Sequence, residues 1–446
     1  FPSVALAWRA KEETFLKNVK QISNAKVRFG WGQTGNAGGI AGRSVYALSS
    51  AHTKYNFYAP GQGGGTSGQF DRVTGFYAPL VDTNLKWETN EQLNIGLDLG
   101  FLNGDLNLTM DFFTRKTKDL LLERQIRPSA GNTSIYTNFG QIDNTGFEFS
   151  INYNKQLNKD WGINVALNGS TLKNKIKKMG VDYTATCSGS NSTYSADDID
   201  GSNIGAVSGT GFQWNNHSIC REGEAVGSYY GFKVVGVIKD QQMLDKAIAQ
   251  GQTKAKMGDF LFLDTDKNGT LDDNDRQILG NGLPDLNFGL NLGATYKNWD
   301  FSVYAYGVLG MDILSYSKMR FSIMNPSDDS WTPALLKDSY KNMYSESNPG
   351  GTLPRLTRLD ENYNSRVSDA WVENGNFLKI SNIQIGYTVP KNLIAPLNLT
   401  NVRAYFSIQN LCTISPYTKY GDPEVGQGSV IYTGLDTGRY ANPRTY

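Results

Sequence analysis

Leu93-Asn94-Ile95-Gly96-Leu97-Asp98-Leu99 and Leu106-Asn107-Leu108-Thr109-Met110-Asp111-Phe112 are two alternating runs facing each other across Asn103-Gly104-Asp105. Every second residue is apolar, and those between are Asn, Gly, Asp or Thr. A strand sends successive side chains to opposite faces, so each run has one apolar and one polar face. Asn and Gly accept positive φ, which suits the intervening segment to a hairpin turn. The alternation recurs at Phe147 to Asn154, Trp161 to Asn168, Leu286 to Tyr296 and Val402 to Gln409.

Working outward, the pattern predicts about eleven strands. They are Val4–Trp8, Val27–Gly32, Trp87–Phe101, Leu106–Leu121, Phe139–Tyr153, Trp161–Lys175, Leu286–Tyr296, Phe301–Gly310, Phe377–Thr388, Val402–Leu411 and an incipient one over Tyr440–Tyr446. Short turns fall at one end of these strands and long loops at the other. Many run to about 12 to 17 residues, against the five or six usual in globular proteins, and a tilted bilayer crossing needs about 9 to 11. Length and loop asymmetry together predict an all-β fold, a transmembrane antiparallel β-barrel with short periplasmic turns and long extracellular loops. A soluble sheet with one wet face would alternate in the same way but has no reason to segregate its loops.

On this reading Leu286, Phe288, Leu290, Leu292, Ala294 and Tyr296 face lipid, while Asn94, Asp98, Asn107 and Asp111 face the lumen. Trp87, Trp161, Tyr296, Trp299 and Tyr387 sit where interfacial girdles belong. The longest irregular region runs over residues 178–284, with a helical pattern at Gln241–Gln250 carried by Met243, Leu244, Ala247 and Ile248. A second long loop covers about Ile313 to Asp369.

The 446 residues carry a net charge of +1, which indicates neither a nucleic-acid footprint nor an acidic tail. No apolar run approaches the roughly 20 residues of a membrane helix, which argues against a helical membrane protein and says nothing against a barrel. The 48 glycines and 12% aromatics fit long strands with aromatic belts. Three cysteines are too few for a disulfide scaffold. Cys187 and Cys220 lie in one polar loop and would pair if it faces an oxidising compartment and their Cα atoms come close enough, leaving Cys412 over.

Asp264-Thr265-Asp266-Lys267-Asn268-Gly269-Thr270-Leu271-Asp272-Asp273-Asn274-Asp275 is the sharpest local signal. Asp264, Asp266, Asn268, Asp272 and Asp275 place oxygens at the positions of an EF-hand-type calcium loop, Gly269 permits the bend and Thr270 offers its carbonyl. Asp275 replaces the usual Glu, so its shorter arm weakens the bidentate grip. No flanking helix pair is evident, which makes Ca2+ here a structural clip. The alternative is a solvated acidic turn, but four crowded carboxylates repel without a cation.

No catalytic constellation stands out, and no enzyme is expected. His52 and His217 read as surface residues. Gly63-Gly64-Gly65 lacks the strand–turn–helix context of a phosphate site. Tyr46, Tyr55, Phe57, Tyr58, Phe70, Phe76 and Tyr77 either stack on sugars or peptides, or pack the loops together.

Several stretches resemble the SusC-like (RagA-type) TonB-dependent outer-membrane transporters of Bacteroidetes. They include Phe1 to Arg9, Gly32-Gln33-Thr34-Gly35-Asn36, Leu85 to Gln92, Lys116 to Leu121, Asn144 to Glu148 and Gly227 to Phe232. The acidic loop with Gly280-Asn281, then Ile385-Gly386-Tyr387, Gln409-Asn410-Leu411, Asp422-Pro423-Glu424 and Pro443 to Tyr446, follow in family order. The resemblance implies that residues 1–446 are the C-terminal part of a 22-stranded plugged barrel. Phe1-Pro2-Ser3-Val4 has no signal-peptide features, and signal peptide, plug, TonB-contacting segment and first barrel half are expected outside this sequence. An isolated half barrel would leave strand edges unpaired in lipid.

The resemblance further implies active import of an oligosaccharide or oligopeptide, energised by TonB and served by a SusD-like surface lipoprotein acting as lid, with a dimer of transporter–lid pairs as the assembly. Substrate contacts are expected in loops 33–84 and 313–369. The competing readings are a passive porin or structural outer-membrane barrel, and a soluble calcium-stabilised β-adhesin.

Overall fold

The computed structural model describes residues 1–37, 53–57, 71–75, 82, 84–125, 134–179, 183–185, 194–195, 217–323, 335–357, 360–425, 433–438 and 442–446. Ten antiparallel strands form one sheet in chain order. They are β1 (Ser3–Trp8), β2 (Ile22–Asn36), β3 (Glu88–Phe101), β4 (Leu106–Gln125), β5 (Ser134–Gln156), β6 (Trp161–Lys178), β7 (Leu286–Tyr296), β8 (Trp299–Leu309), β9 (Phe377–Thr388) and β10 (Arg403–Ile414). The expected eleventh appears as a single antiparallel bridge, Gln409 to Thr445.

Each strand pairs with its predecessor because the connections at one end are short. Leu102, Asn103 and Gly104 all take positive φ between β3 and β4, where Asn and Gly carry the strain best. Asn158 Oδ1 accepts from the backbone N–H groups of Asp160 and Trp161 between β5 and β6. The β1–β2 connection is held by Lys11, whose Nζ donates to the carbonyls of Leu16, Lys17 and Val19.

Register turns the alternation into two continuous faces. Leu6, Phe29, Ile95, Phe112 and Phe147 stand opposite one another across five strands, and all are exposed. The neighbouring row on the other face reads Arg28, Gly96, Asp111, Glu148, Ser170 and Asn287. Greasy outside and polar inside is the pattern of a membrane barrel wall. Trp161 packs on Tyr296 at 4.6 Å and Trp299 on Tyr387 at 4.8 Å, forming an aromatic band at the short-turn end.

Within the long region 178–284, the described residues 217–284 hold more regular structure than their sequence suggests. Ser218–Cys220, Ser228–Gly231 and Gln277–Gly280 pair in one small sheet, and Val234–Val237 pairs with Phe260–Phe262. The helix spans Gln241–Ala249, capped by the Asp240 carboxylate, which accepts from the Met243 N–H at 2.8 Å. Asp312–Ser315 pairs with Val372–Asn374 and, in parallel, with Leu435–Asp436. Three loops, after β6, β8 and β10, thus condense around Tyr229, Phe260, Phe262, Leu314, Trp371 and Leu435. The periodicity of each piece is too short to announce this core.

His217 departs from expectation. It is 1% exposed, because it leads into Ser218–Cys220 and its carbonyl accepts from the Tyr230 N–H inside the loop assembly. His52 lies outside the described residues. So does Cys187, which leaves its pairing with Cys220 unplaced; Cys220 itself is buried against Ile176 and Met179.

Candidate functional site

Two places gather functional side chains, the acidic loop in the loop assembly and the polar face of the wall. The acidic loop leaves the strand Phe260–Phe262 and turns with positive φ at Lys267 (59°) and Gly269 (82°). Its first half is knitted by side chains turned on the backbone. Asp264 Oδ2 accepts from the Gly269 N–H at 2.9 Å, Asp266 Oδ1 from Asn268 at 3.0 Å, and Asn268 Oδ1 from Thr270 at 2.7 Å. Asp275 is fully buried and accepts from the N–H groups of Thr265 (2.6 Å) and Asp272 (2.8 Å).

This brings Asp264, Asp266 and Asp275 together, each with a carboxylate oxygen within 4.8 Å of the others. Asp264 Oδ1 is buried without a hydrogen-bond partner. The donor set is all oxygen and suits a hard cation. Asp272 stands apart from the three: its Oδ1 accepts from the Asn274 N–H at 2.7 Å and caps the turn Asp273–Asp275. Asn268 turns its Oδ1 to the Thr270 N–H and its Nδ2 to Asp266.

The loop is wired into the core beside it. The Leu271 N–H donates to the Gln250 carbonyl at 2.7 Å, and Leu271 packs on the loop core. Just after the loop, Arg276 lies over the rings of Tyr230 (4.9 Å) and Phe232 (5.8 Å), with Asp273 at 3.6 Å. Arg366 covers the rings of Phe262 (4.4 Å) and Phe232 (5.1 Å). Burial pushes the Arg366 guanidinium down to about 10, which leaves it charged at neutral pH. Phe232 is therefore clasped between two cations, a contact with no sequence signature.

On the wall, Asp98 and Asp111 share the polar face as expected and share one partner. Arg28 makes a two-pronged contact with Asp98 at 2.9 Å and reaches Asp111 at 2.9 Å. Gly96 lies directly beneath; a Cβ there would stand 2.5 Å from both Arg28 Cζ and Asp111 Oδ1. Farther along, the buried Lys379 of β9 pairs with Glu424 of the final loop, which also accepts from the Tyr306 hydroxyl. A cavity of about 720 Å³ occupies the wall between these groups, lined by Asp111, Glu148, Asn168, Ser170, Asn287, Tyr304, Tyr306, Phe377 and Glu424 among others. Alternation alone places Asp98 and Asp111 inside; the partners Arg28 and Glu424 come from segments whose approach is set by the whole fold.

Of the loops expected to touch substrate, most of 33–84 lies outside the described residues. In 313–369, Ile313, Leu314, Met319, Ile323, Met343, Leu353 and Val367 are buried in the loop assembly. These side chains hold the assembly together.

Residues 1–411 match the family described as TonB dependent receptor-like, beta-barrel. The chain is 32% identical to TonB-dependent receptor P3 of Formosa agariphila over 456 residues, covering all of this chain and 41% of that protein. It is 31% identical to TonB-dependent receptor SusC of Bacteroides thetaiotaomicron over 452 residues, again covering all of this chain and 39% of the relative. The chain spans about two-fifths of the length of these relatives. In fold it resembles the RagAB peptide importer in its open-open state, with a TM-score of 0.70 at 20% identity over 99% of this chain and 41% of the other.

Proposed function

The chain belongs to the TonB-dependent receptor β-barrel family of outer-membrane proteins, and on that footing we propose that it serves TonB-energised import of an oligosaccharide or oligopeptide beneath a SusD-like lipoprotein lid. The observation that supports this most is the pairing of a two-faced wall with a cavity on its polar side, set below a folded loop assembly. A passive pore needs no such assembly: its loops only have to leave the channel clear.

Uptake of a labelled cargo by cells, compared with and without TonB and with the proton-motive force collapsed, tests the reading. Import that continues unchanged in both cases would mean a passive porin. Import that continues after deletion of the neighbouring surface lipoprotein would remove the lid and leave the transporter.

The acidic loop serves, in this reading, as a calcium clip for the loop assembly. Asp264, Asp266 and Asp275 would hold the ion, with Asp264 Oδ1 the atom that most needs it. Calcium would supply no chemistry here; it would neutralise three crowded carboxylates and fix the turn between Phe262 and Arg276. Chelation, or Asp264→Ala with Asp266→Ala, should make the loops more sensitive to protease at unchanged wall stability. Unchanged sensitivity would dismiss the clip.

A further inference from the structure

The wall cavity is long, chemically graded and uneven in charge. Glu148 on β5 stands in register with Ser170 on β6, Asn287 on β7 and Val308 on β8. Neighbouring strands lie about 4.8 Å apart, so Glu148 is about 14 Å from Val308 and about 19 Å from both Phe377, one strand further, and Tyr304, four residues along β8. At the Glu148 end the lining is a carboxylate that is exposed and takes part in no ion pair among the described residues. In the middle it offers the neutral amides and hydroxyls of Asn168, Ser170 and Asn287. At the far end it turns aromatic: Tyr304 and Tyr306 stand 5.9 Å apart, and Phe377 meets Tyr306 edge-on at 6.0 Å. Tyr304 is 44% exposed, unusual for a ring on the polar face of this wall.

The charges around it do not balance. Among the described residues lining the cavity there is no Lys, Arg or His. The two cations just behind the lining, Arg28 and Lys379, contact four carboxylates, Asp98, Asp111, Asp422 and Glu424, and Glu148 in the lining is a fifth. Arg28 is committed to Asp98 and Asp111, and Lys379 to Glu424 with Asp422 at 4.0 Å. Lys26 and Arg115 share the polar face but stand outside the lining. Glu148 is thus the carboxylate left to meet an incoming charge.

We propose that this cavity seats an elongated cargo segment with an ammonium or guanidinium group at Glu148 and a planar or apolar group about 19 Å away on Tyr304 and Phe377. The inference rests on the transport reading and narrows it: anionic cargo is rejected, and neutral cargo binds through the aromatic end alone. A basic peptide and an amino-sugar oligomer both carry the required charge. A carboxylate–ammonium contact in a half-screened site contributes about tenfold in affinity, and added salt weakens it.

The experiment uses the full-length protein in detergent with two pairs of probes. One pair is an end-capped peptide with Lys and Phe about six residues apart and its acetyl-lysine counterpart. The other is a glucosamine oligomer and its N-acetylated counterpart. We expect the charged member of at least one pair to bind about tenfold more tightly than its acetylated partner, and the pair that shows this identifies the source of the charge. Glu148→Gln should erase that ratio. Tyr304→Ala should weaken both peptides and leave their ratio intact. Equal binding within both pairs, or a ratio that survives Glu148→Gln, overturns the proposal. TonB-dependent uptake of neutral cargo with no preference for charge would overturn it while leaving the transport reading standing. A charge preference in a protein whose uptake ignores TonB would do the reverse.

Discussion

On the wall, Leu6, Phe29, Ile95, Phe112 and Phe147 form an unbroken apolar row, and every one of them is exposed. In the loop assembly, Tyr229, Phe260, Phe262 and Trp371 are shut away almost completely. Among the described residues, only Ile176 of the largest fully buried side chains belongs to the ten strands, and it sits at the top of β6 against Met179 and Cys220. The wall is built from hydrogen-bond ladders whose side chains meet lipid on one face and a polar lumen on the other. The loops build an ordinary water-excluding core, each large buried side chain contributing about 1.5–3 kcal/mol. Two folding solutions share one chain, and the loop assembly should respond to mutation as a small soluble domain does.

Trp371→Ala should separate the two most sharply. Trp371 meets Phe260 edge-on at 5.9 Å and donates to the Arg366 carbonyl at 3.1 Å. Its loss should cost the loop assembly about 3–5 kcal/mol, seen as faster hydrogen exchange across residues 217–280 and 335–372. Protection on β3 to β6 should not change; a wall that loosens equally would mean that the two parts fold as one. Phe112→Lys is the converse experiment. A lysine on the lipid face near mid-wall should destabilise the inserted barrel by about 2–4 kcal/mol, read from denaturant unfolding in vesicles. Thr109→Lys, on the lumen face of the same strand, should cost clearly less, and equal costs would break the assignment of faces.

The wall was legible in the sequence because its signal is local. A period of two survives in each strand regardless of its neighbours, so β7 and β9 are read to the residue, and the turn at Asn103-Gly104 follows from backbone preference. The helix Gln241–Ala249 was legible for the same reason. The acidic loop declared its spacing, though not that Asp272 would turn to capping. The loop core stayed hidden because its contacts are remote: the Tyr229 hydroxyl donates to the carbonyl of Thr433, 204 residues away. No window of sequence contains both partners. The same holds for Arg28 with Asp98 and Asp111, and for Lys379 with Glu424.

Gly96→Ala should affect the wall alone, and more mildly than a charge in lipid. The added methyl group meets Arg28 Cζ and Asp111 Oδ1 at 2.5 Å, so the three-residue ion network must shift. A cost of about 1–3 kcal/mol is expected, with the loop assembly unaffected. The double variant Gly96→Ala, Arg28→Ala should recover part of it by removing the obstruction, and full additivity would show that Gly96 matters for another reason.

The smallest effect belongs to pH and to the loops. Asp259 is 1% exposed, and burial pushes its carboxyl up despite Arg355 at 3.0 Å and donors from Lys256 and Asn364. A carboxyl that is harder to ionise when folded binds its proton more tightly in the native state. Its stabilising contribution is complete below the ordinary carboxylate value of about 3.9 and is lost as pH rises through the raised value. Wild-type loop protection, measured against Asp259→Asn, should therefore grow as pH falls from neutral. Hydrogen exchange over residues 250–262 and 360–366 reads it, since Gln252, Asn362 and Asn364 join these segments. A difference that instead shrinks on acidification would mean that Arg355 outweighs burial at Asp259.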